Sequence, residues 1–291
     1  MAANGDNPGV IILPPVLRVL AIAAALAVAF DALGESSITV TRQDKVQVAM
    51  TVYSPAGECR GTAIISHGAG GSEQGYSYLG KYFAGEGWLA IVPGHRESGL
   101  KALRDHMHGA NVREGLGDLV TDPAAYQGRL MDIKAARLWA KDHCKAAAAI
   151  LVGHSMGAAT VMIEAGAKNN LGVKGSDAFD AYIALSPQGH GSIFPADAWK
   201  AISKPVLTIT GTNDGELGGE SWRVRTEPFA NMAPGCKWLG VVDGATHMNF
   251  AGRGSASAET LTLQTIGAFL AAQGHGCKAP QVARGIEVQV K

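Results

Sequence analysis

Ala148-Ala149-Ile150-Leu151-Val152-Gly153-His154-Ser155-Met156-Gly157-Ala158-Ala159 is the stretch on which the reading of this chain depends. An apolar run stops at Val152 and a helical pattern of small and apolar residues starts at Met156, leaving Gly153, His154 and Ser155 to make the turn. A strand-to-helix turn this sharp has no room for side chains at its flanks, and glycine stands at both 153 and 157. Such a turn lifts the Ser155 hydroxyl clear of the sheet. It also sets the N-terminus of the next helix, with the Met156 amide, beneath any negative charge that develops there. A serine that merely caps a helix is the competing reading, and the strand immediately before it argues against that.

Working outward, short apolar runs at 37–40, 46–53, 62–65, 89–92, 148–152, 181–185, 206–210 and 239–242 read as strands, the first two as an entry hairpin. Most are continuous rather than alternating, as in strands covered on both faces. Helical patterns at 76–84, 130–144, 156–167, 222–232 and 258–272 lie between them. Alternation of this kind predicts an α/β fold, a mostly parallel eight-stranded sheet with helices on both faces. No Pro/Ser-rich linker divides the chain, so 36–275 reads as one catalytic domain and 276–291 as a C-terminal tail whose EVQV stretch can add an edge strand.

Before that domain, the apolar run from Val19 to Phe30 has the length of a secretory h-region and falls short of a bilayer span. Ala27-Val28-Ala29 supplies small residues for cleavage, so residues 1–35 read as a signal peptide and leader. The expected location is secreted or periplasmic, with no stable membrane insertion after cleavage. A membrane anchor that counts 10–30 as one stretch, with Arg18 inside it, is the alternative. Cys59, Cys144, Cys236 and Cys277 allow three pairings in an oxidising compartment. They form no CxxC and have no histidine at ligand spacing, so no metal site is expected.

Composition narrows the partners. Lys plus Arg and Asp plus Glu are 25 each, a formal net charge of +0, so the basic footprint of a nucleic-acid binder is missing. With 47% hydrophobic and 17% charged residues across 291, the chain has enough apolar side chain for a large core and is not disordered.

A serine hydroxyl is a weak nucleophile and needs a base, which in turn needs an orienting group. Asp214, in Gly211-Thr212-Asn213-Asp214, follows the strand at 206–210, and His247, in Gly244-Ala245-Thr246-His247, follows the one ending at 242. Both therefore fall at the sheet edge that carries Ser155. Asp243 is the rival acid, but it lies four residues before His247 on the same strand end and would have to fold back sharply. Ser66-His67-Gly68-Ala69-Gly70-Gly71 follows the strand at 62–65, and its glycines let backbone amides face a cavity. The Ala69 amide is the expected second oxyanion donor beside Met156, with Gly68 as alternate. Tyr76 and Trp222 are candidates to line the substrate site. His67 reads as a loop-orienting residue, His154 as structural, and His95, His106 and His108 as solvated loop histidines rather than a metal site.

The order Ser155, Asp214, His247 resembles that of the α/β-hydrolases, a resemblance that covers essentially the whole catalytic domain. SHGAGGSEQGYSYLGKYFAGEGWLAIVPGHRESG at 66–99 and Arg129-Leu130-Met131-Asp132-Ile133 are similar to the branch holding dienelactone-hydrolase-like proteins, platelet-activating-factor acetylhydrolases and chlorophyllases. The resemblance implies a serine carboxylic-ester hydrolase with those three residues as its triad. It implies no cofactor, and a small-molecule or polymeric ester as substrate; the alternatives are an exported polyester or lipid-ester hydrolase, and a non-catalytic binding protein on the same fold. Dienelactone hydrolases use cysteine where this chain has Ser155, which argues against dienelactone itself. The resemblance also makes the strands after Cys59 and Cys144 neighbours, while Cys236 precedes the last major strand and Cys277 follows the helix returning from it. All four then lie at the bottom of the sheet, favouring Cys59 with Cys144 and Cys236 with Cys277. Only about 20 residues separate the strands at 181–185 and 206–210, which a connecting helix at 196–202 would largely use, so no large cap domain is expected. The insertion at 94–127 reads as a rim.

Overall fold

Period-two burial along the central strands explains the layering. In β3 (Gly61–Ser66), Ile64 packs into one apolar cluster while Ala63 and Ile65 pack into another; in β5 (Ala149–His154), Leu151 joins the first and Ile150 and Val152 the second. Side chains alternate across a strand, so both faces must be covered. Helices α4 (Pro123–His143) and α5 (Met156–Glu164) cover one, through Tyr126, Ile133, Val161 and Met162. The other is covered by α1 (Ser77–Gly85) and α7 (Ala256–Ala272), through Leu79, Phe83, Ile266 and Phe269.

The computed structural model describes Met1 and residues 34–107, 111–215, 218–279 and 283–291; of the expected signal peptide and leader at 1–35, residues 2–33 lie outside the described residues, while Gly34 and Glu35 open the first strand. The remaining strands are β1 (Gly34–Thr41), β2 (Gln47–Ser54), β4 (Trp88–Pro93), β6 (Ala181–Leu185), β7 (Val206–Asn213), β8 (Lys237–Thr246) and β9 (Ile286–Val290). Their order is β1-β2-β4-β3-β5-β6-β7-β8-β9. From β4 through β8 every pairing is parallel, and the antiparallel pairs are β1–β2, β2–β4 and β8–β9. The α/β architecture is the expected one, with nine strands in place of eight. The extra strand is the EVQV stretch, which pairs with β8 from Trp238–Val290 to Val242–Ile286 and covers an otherwise open edge.

Local chemistry moved several boundaries. Helix α4 starts seven residues before 130 because Asp122 caps it, accepting from the Ala124 amide at 2.8 Å, with Pro123 in the first turn. The expected helix at 222–232 is a 3-10 turn, Trp222–Thr226, followed by the short α6 (Glu227–Asn231). The 94–127 insertion is built from α2 (Leu100–His106) and α3 (Val112–Val120). Residues 196–202 form turns, not the expected helix, anchored by the fully buried Trp199, and no cap domain intervenes between β6 and β7.

Both disulfides join residues at the ends of the sheet opposite Ser155: Cys59 with Cys144, ahead of the paired strands β3 and β5, and Cys236 with Cys277, between the start of β8 and the end of α7. Their sequence separations are 85 and 41. Chain-entropy scaling makes the first worth about 4–5 kcal/mol and the second about 4. The double variant Cys59→Ser/Cys144→Ser should accordingly have a lower urea midpoint than Cys236→Ser/Cys277→Ser, and both should fall below the wild type. A midpoint unchanged by either pair would show that the bridges do not restrict the unfolded chain.

Candidate active site

Gly153 and Gly157 are where backbone meets backbone. A Cβ on Gly157 would stand 2.0 Å from the Ser66 carbonyl oxygen, and one on Gly153 would stand 2.2 Å from the Gly157 carbonyl oxygen. The turn between them holds Ser155 at φ 55, ψ −121, a conformation rarely tolerated by a side-chain-bearing residue. Its amide bonds the Leu185 carbonyl at 3.0 Å, and α5 begins at the next residue.

Asp214 follows the end of β7 and is fully buried. One carboxylate oxygen accepts from His247 Nδ1 at 2.9 Å and is 2.9 Å from Arg225 Nε. The other accepts from Ser186 Oγ at 2.5 Å and Thr210 Oγ1 at 2.9 Å. Three side-chain donors and the adjacent Arg225 guanidinium around two oxygens leave this carboxylate a single orientation. His247 opens a 3-10 turn directly after β8, held by Asn249 Oδ1, which accepts from the Thr246 amide at 2.8 Å and the Thr246 hydroxyl at 3.0 Å. With Nδ1–H given to Asp214, the basic nitrogen of the imidazole is Nε2.

Ser155 and His247 line one open cavity of about 880 Å³, together with Gly68, Ala69 and Tyr76. The Gly68 amide is taken, donating to Tyr76 Oη at 3.0 Å. Among the described residues nothing accepts from the Ala69 or Met156 amides. Beneath this loop lies Arg129, fully buried, donating to the carbonyls of His67 at 2.6 Å and Gly68 at 3.3 Å.

No protein-family model and no curated protein matches the chain. Solved structures do. A protein assigned as a dienelactone hydrolase from Klebsiella pneumoniae subsp. pneumoniae is similar with a TM-score of 0.61 and 17% identity, over 82% of this chain and 98% of that one. Esterase 2 of Thermogutta terrifontis, phosphoramylated by tabun, gives 0.56 and 20%, over 85% and 97%. An alpha-beta serine hydrolase homologue from Coxiella burnetii gives 0.55 and 18%, over 79% and 97%. The fold is that of the α/β-hydrolases.

On this α/β-hydrolase sheet, Ser155, Asp214 and His247 all follow strand ends at one edge, after β5, β7 and β8. Asp243, the rival acid, instead accepts from Thr212 Oγ1 at 3.2 Å in an exposed position. Trp222 is not among the cavity-lining residues: it packs half-buried beside Phe229, Leu239 and Val241, with the Arg223 guanidinium over its ring. Tyr76 does line the cavity, but its hydroxyl is committed to Gly68 and to His154 Nδ1 at 2.7 Å.

The other histidines divide. His67 orients its loop as expected, its Nδ1 on the Gly68 carbonyl at 2.7 Å and its Nε2 accepting from the His95 amide at 3.1 Å. His95 is not solvated but buried, its Nδ1 on Asp132 at 2.9 Å and its Nε2 on Ser66 Oγ at 2.9 Å. His106 is half-buried and caps the Ala102 carbonyl at 2.8 Å, while His108 lies outside the described residues. No three His, Cys, Asp or Glu side chains among the described residues converge to hold a metal ion. Arg225, Ser186 and Thr210 carry no motif, so their convergence on Asp214 had no signal in the sequence. Arg129 and Asp132 did have one, the R-x-x-D-I segment, but not the role it disclosed.

Proposed function

We propose that the chain is a serine carboxylic-ester hydrolase of the dienelactone-hydrolase-like branch, with Ser155 as nucleophile, His247 as base and Asp214 as its orienting acid. The observation that carries this is the His247 Nδ1–Asp214 bond at 2.9 Å, made to a fully buried carboxylate, with His247 and Ser155 lining the same cavity. In this mechanism His247 Nε2 takes the Ser155 Oγ proton as Oγ adds to the ester carbonyl carbon. The resulting oxyanion accepts from the Met156 and Ala69 amides. Collapse breaks the bond to the alkoxy oxygen, which receives the proton from His247 and leaves as the alcohol. Water then attacks the acyl–Ser155 ester by the same route, releasing the acid.

The Coxiella, Klebsiella and Thermogutta neighbours share the fold at low identity, and their named activities support the reaction class only by analogy. Two disulfides favour an oxidising compartment, secreted or periplasmic, and no helix among the described residues is long and apolar enough to cross a membrane. The cavity mouth is open, with Leu100 and Met248 exposed at its rim, which suits bulky or polymeric esters as well as small ones. A fluorophosphonate should label Ser155 and stop turnover. Because no cap domain among the described residues covers the site, rates on p-nitrophenyl esters should favour short acyl chains and stay hyperbolic through the solubility limit. A sharp rise at the onset of emulsion would instead mean that a lid opens at the interface.

A further inference from the structure

Resting on the esterase reading, we propose that Tyr76 and His154 are a positioning pair, a hydrogen-bonded chain that holds the oxyanion loop and the backbone of the base His247 in register with Ser155. The chain has four members. The Gly68 amide donates to Tyr76 Oη at 3.0 Å, Tyr76 Oη bonds His154 Nδ1 at 2.7 Å, and His154 Nε2 bonds the His247 carbonyl at 3.0 Å.

Its direction is forced from one end. A carbonyl can only accept, so the His154 proton must sit on Nε2 and its Nδ1 must be the acceptor. The Tyr76 hydroxyl then donates to Nδ1 and offers a lone pair to the Gly68 amide, so every donor and acceptor along the path has a partner. The surroundings enforce this neutral form: His154 is 3% exposed, and burial followed by the neighbouring His247 holds its imidazole well below its ordinary value.

What the chain connects matters more than its satisfaction. Gly68 belongs to the loop after β3, while His247 follows β8, and β5, β6 and β7 lie between those strands in the sheet. The strands alone therefore couple the two loops only through three intervening neighbours. His154, the residue beside the nucleophile, bridges them directly, with its ring 4.6 Å from that of His247. At the other end, Tyr76 takes up the Gly68 amide, and Ala69 is left as the neighbouring amide of the loop with no acceptor among the described residues. Tyr76 itself is held at φ 61 at the start of α1, a left-handed conformation that costs a tyrosine energy and is retained where the surrounding structure over-determines it.

Small displacements of a base or an oxyanion donor cost about 10- to 100-fold in rate. Tyr76→Phe removes both hydroxyl bonds and keeps the ring. Its kcat should fall by that factor with KM nearly constant, and the inhibition constant of a trifluoromethyl ketone, which forms a tetrahedral adduct with the nucleophile, should rise in parallel. His154→Leu should behave alike, and His154→Gln, which retains a donor toward the His247 carbonyl, should recover part of the loss. Because the two residues form one chain, Tyr76→Phe/His154→Leu should be no worse than His154→Leu alone. A purely structural role would lower the folded fraction, measured by active-site titration, and leave both kcat per titrated site and ketone affinity at wild-type values, overturning the proposal. Wild-type kcat in Tyr76→Phe and His154→Leu would overturn it too. A wild-type protein that neither hydrolyses esters nor takes a fluorophosphonate would refute the esterase reading itself, and with it the pair's role.

Discussion

Ser155→Ala should reduce ester turnover by about 10⁴- to 10⁶-fold while leaving the protein folded. The lost atom is a single hydroxyl at a half-exposed cavity wall, and among the described residues no structural hydrogen bond depends on it. Alanine faces the same backbone demand at φ 55 as serine, so the melting temperature should change little. His247→Ala should lose nearly as much, and Ser155→Ala/His247→Ala no more than either, because a proton-transfer unit fails whole. Asp214→Asn is more discriminating. The positive Arg225 guanidinium, its Nε 2.9 Å from Oδ1, repels an NH₂ placed there, so the amide oxygen must stay on the Arg225 and His247 side, with its NH₂ facing Ser186 and Thr210. Those hydroxyls can turn to accept, so the fold persists while the imidazolium loses its counter-charge. A drop of about 10³- to 10⁴-fold in kcat is expected. Turnover by Ser155→Ala at the wild-type rate, with the same pH profile, would end the assignment.

How much of this could be read from the chain depends on whether a residue's role is local. The elbow is local: Gly153 and Gly157 are needed for contacts made within a few residues or with the adjacent β3, and the paired glycines announce it. Asp214 and His247 were legible because each falls just past an apolar run, and topology then does the rest. The sequence favours Ala69 but keeps Gly68 as alternate, since what distinguishes them is a hydrogen bond that the Gly68 amide donates to Tyr76, eight residues on. Trp222 misled for the converse reason: an aromatic near Asp214 in sequence packs onto β8 through Leu239 and Val241 and does not line the cavity. Arg225 satisfies the Asp214 carbonyl at 2.7 Å and Ser186 carbonyl at 3.1 Å across a gap no periodicity encodes. The same holds beneath the loop after β3, where His95 looks like a loop residue next to Gly94 but is enclosed by Ser66, Asp132 and Arg129.

That enclosure makes the fold acid-sensitive well above the range of ordinary carboxylates. Between pH 6 and 5, the unfolding free energy should fall by about 3 kcal/mol. Three buried histidines set the sign. His67 is held down to about 3, first by burial and then by Arg129. His95 and His154 are held well below their ordinary value, again chiefly by burial. Each has a folded-state value below that of the unfolded chain, about 6.5. Their stabilisation is therefore fully present above 6.5 and is lost as pH falls toward the folded values. Below 6.5 the unfolded state binds up to about three more protons, a slope of about 4 kcal/mol per pH unit. Asp132 works the other way. Burial pushes its carboxyl up to about 7, so between its unfolded value and 7 the folded state binds the extra proton. Arg42 at 3.0 Å and His95 Nδ1 at 2.9 Å both favour its charged form, which limits this offset to at most one proton. Two to three protons remain, hence the net figure. Urea unfolding at constant ionic strength, with disulfides intact, measures it directly. His154→Gln, which cannot titrate, should flatten the slope by about one proton, whereas Tyr76→Phe, which leaves all three histidines in place, should not. A stability that is level from pH 7 to pH 5, or a His154→Gln slope equal to that of the wild type, would mean that these imidazoles are not held neutral by the fold.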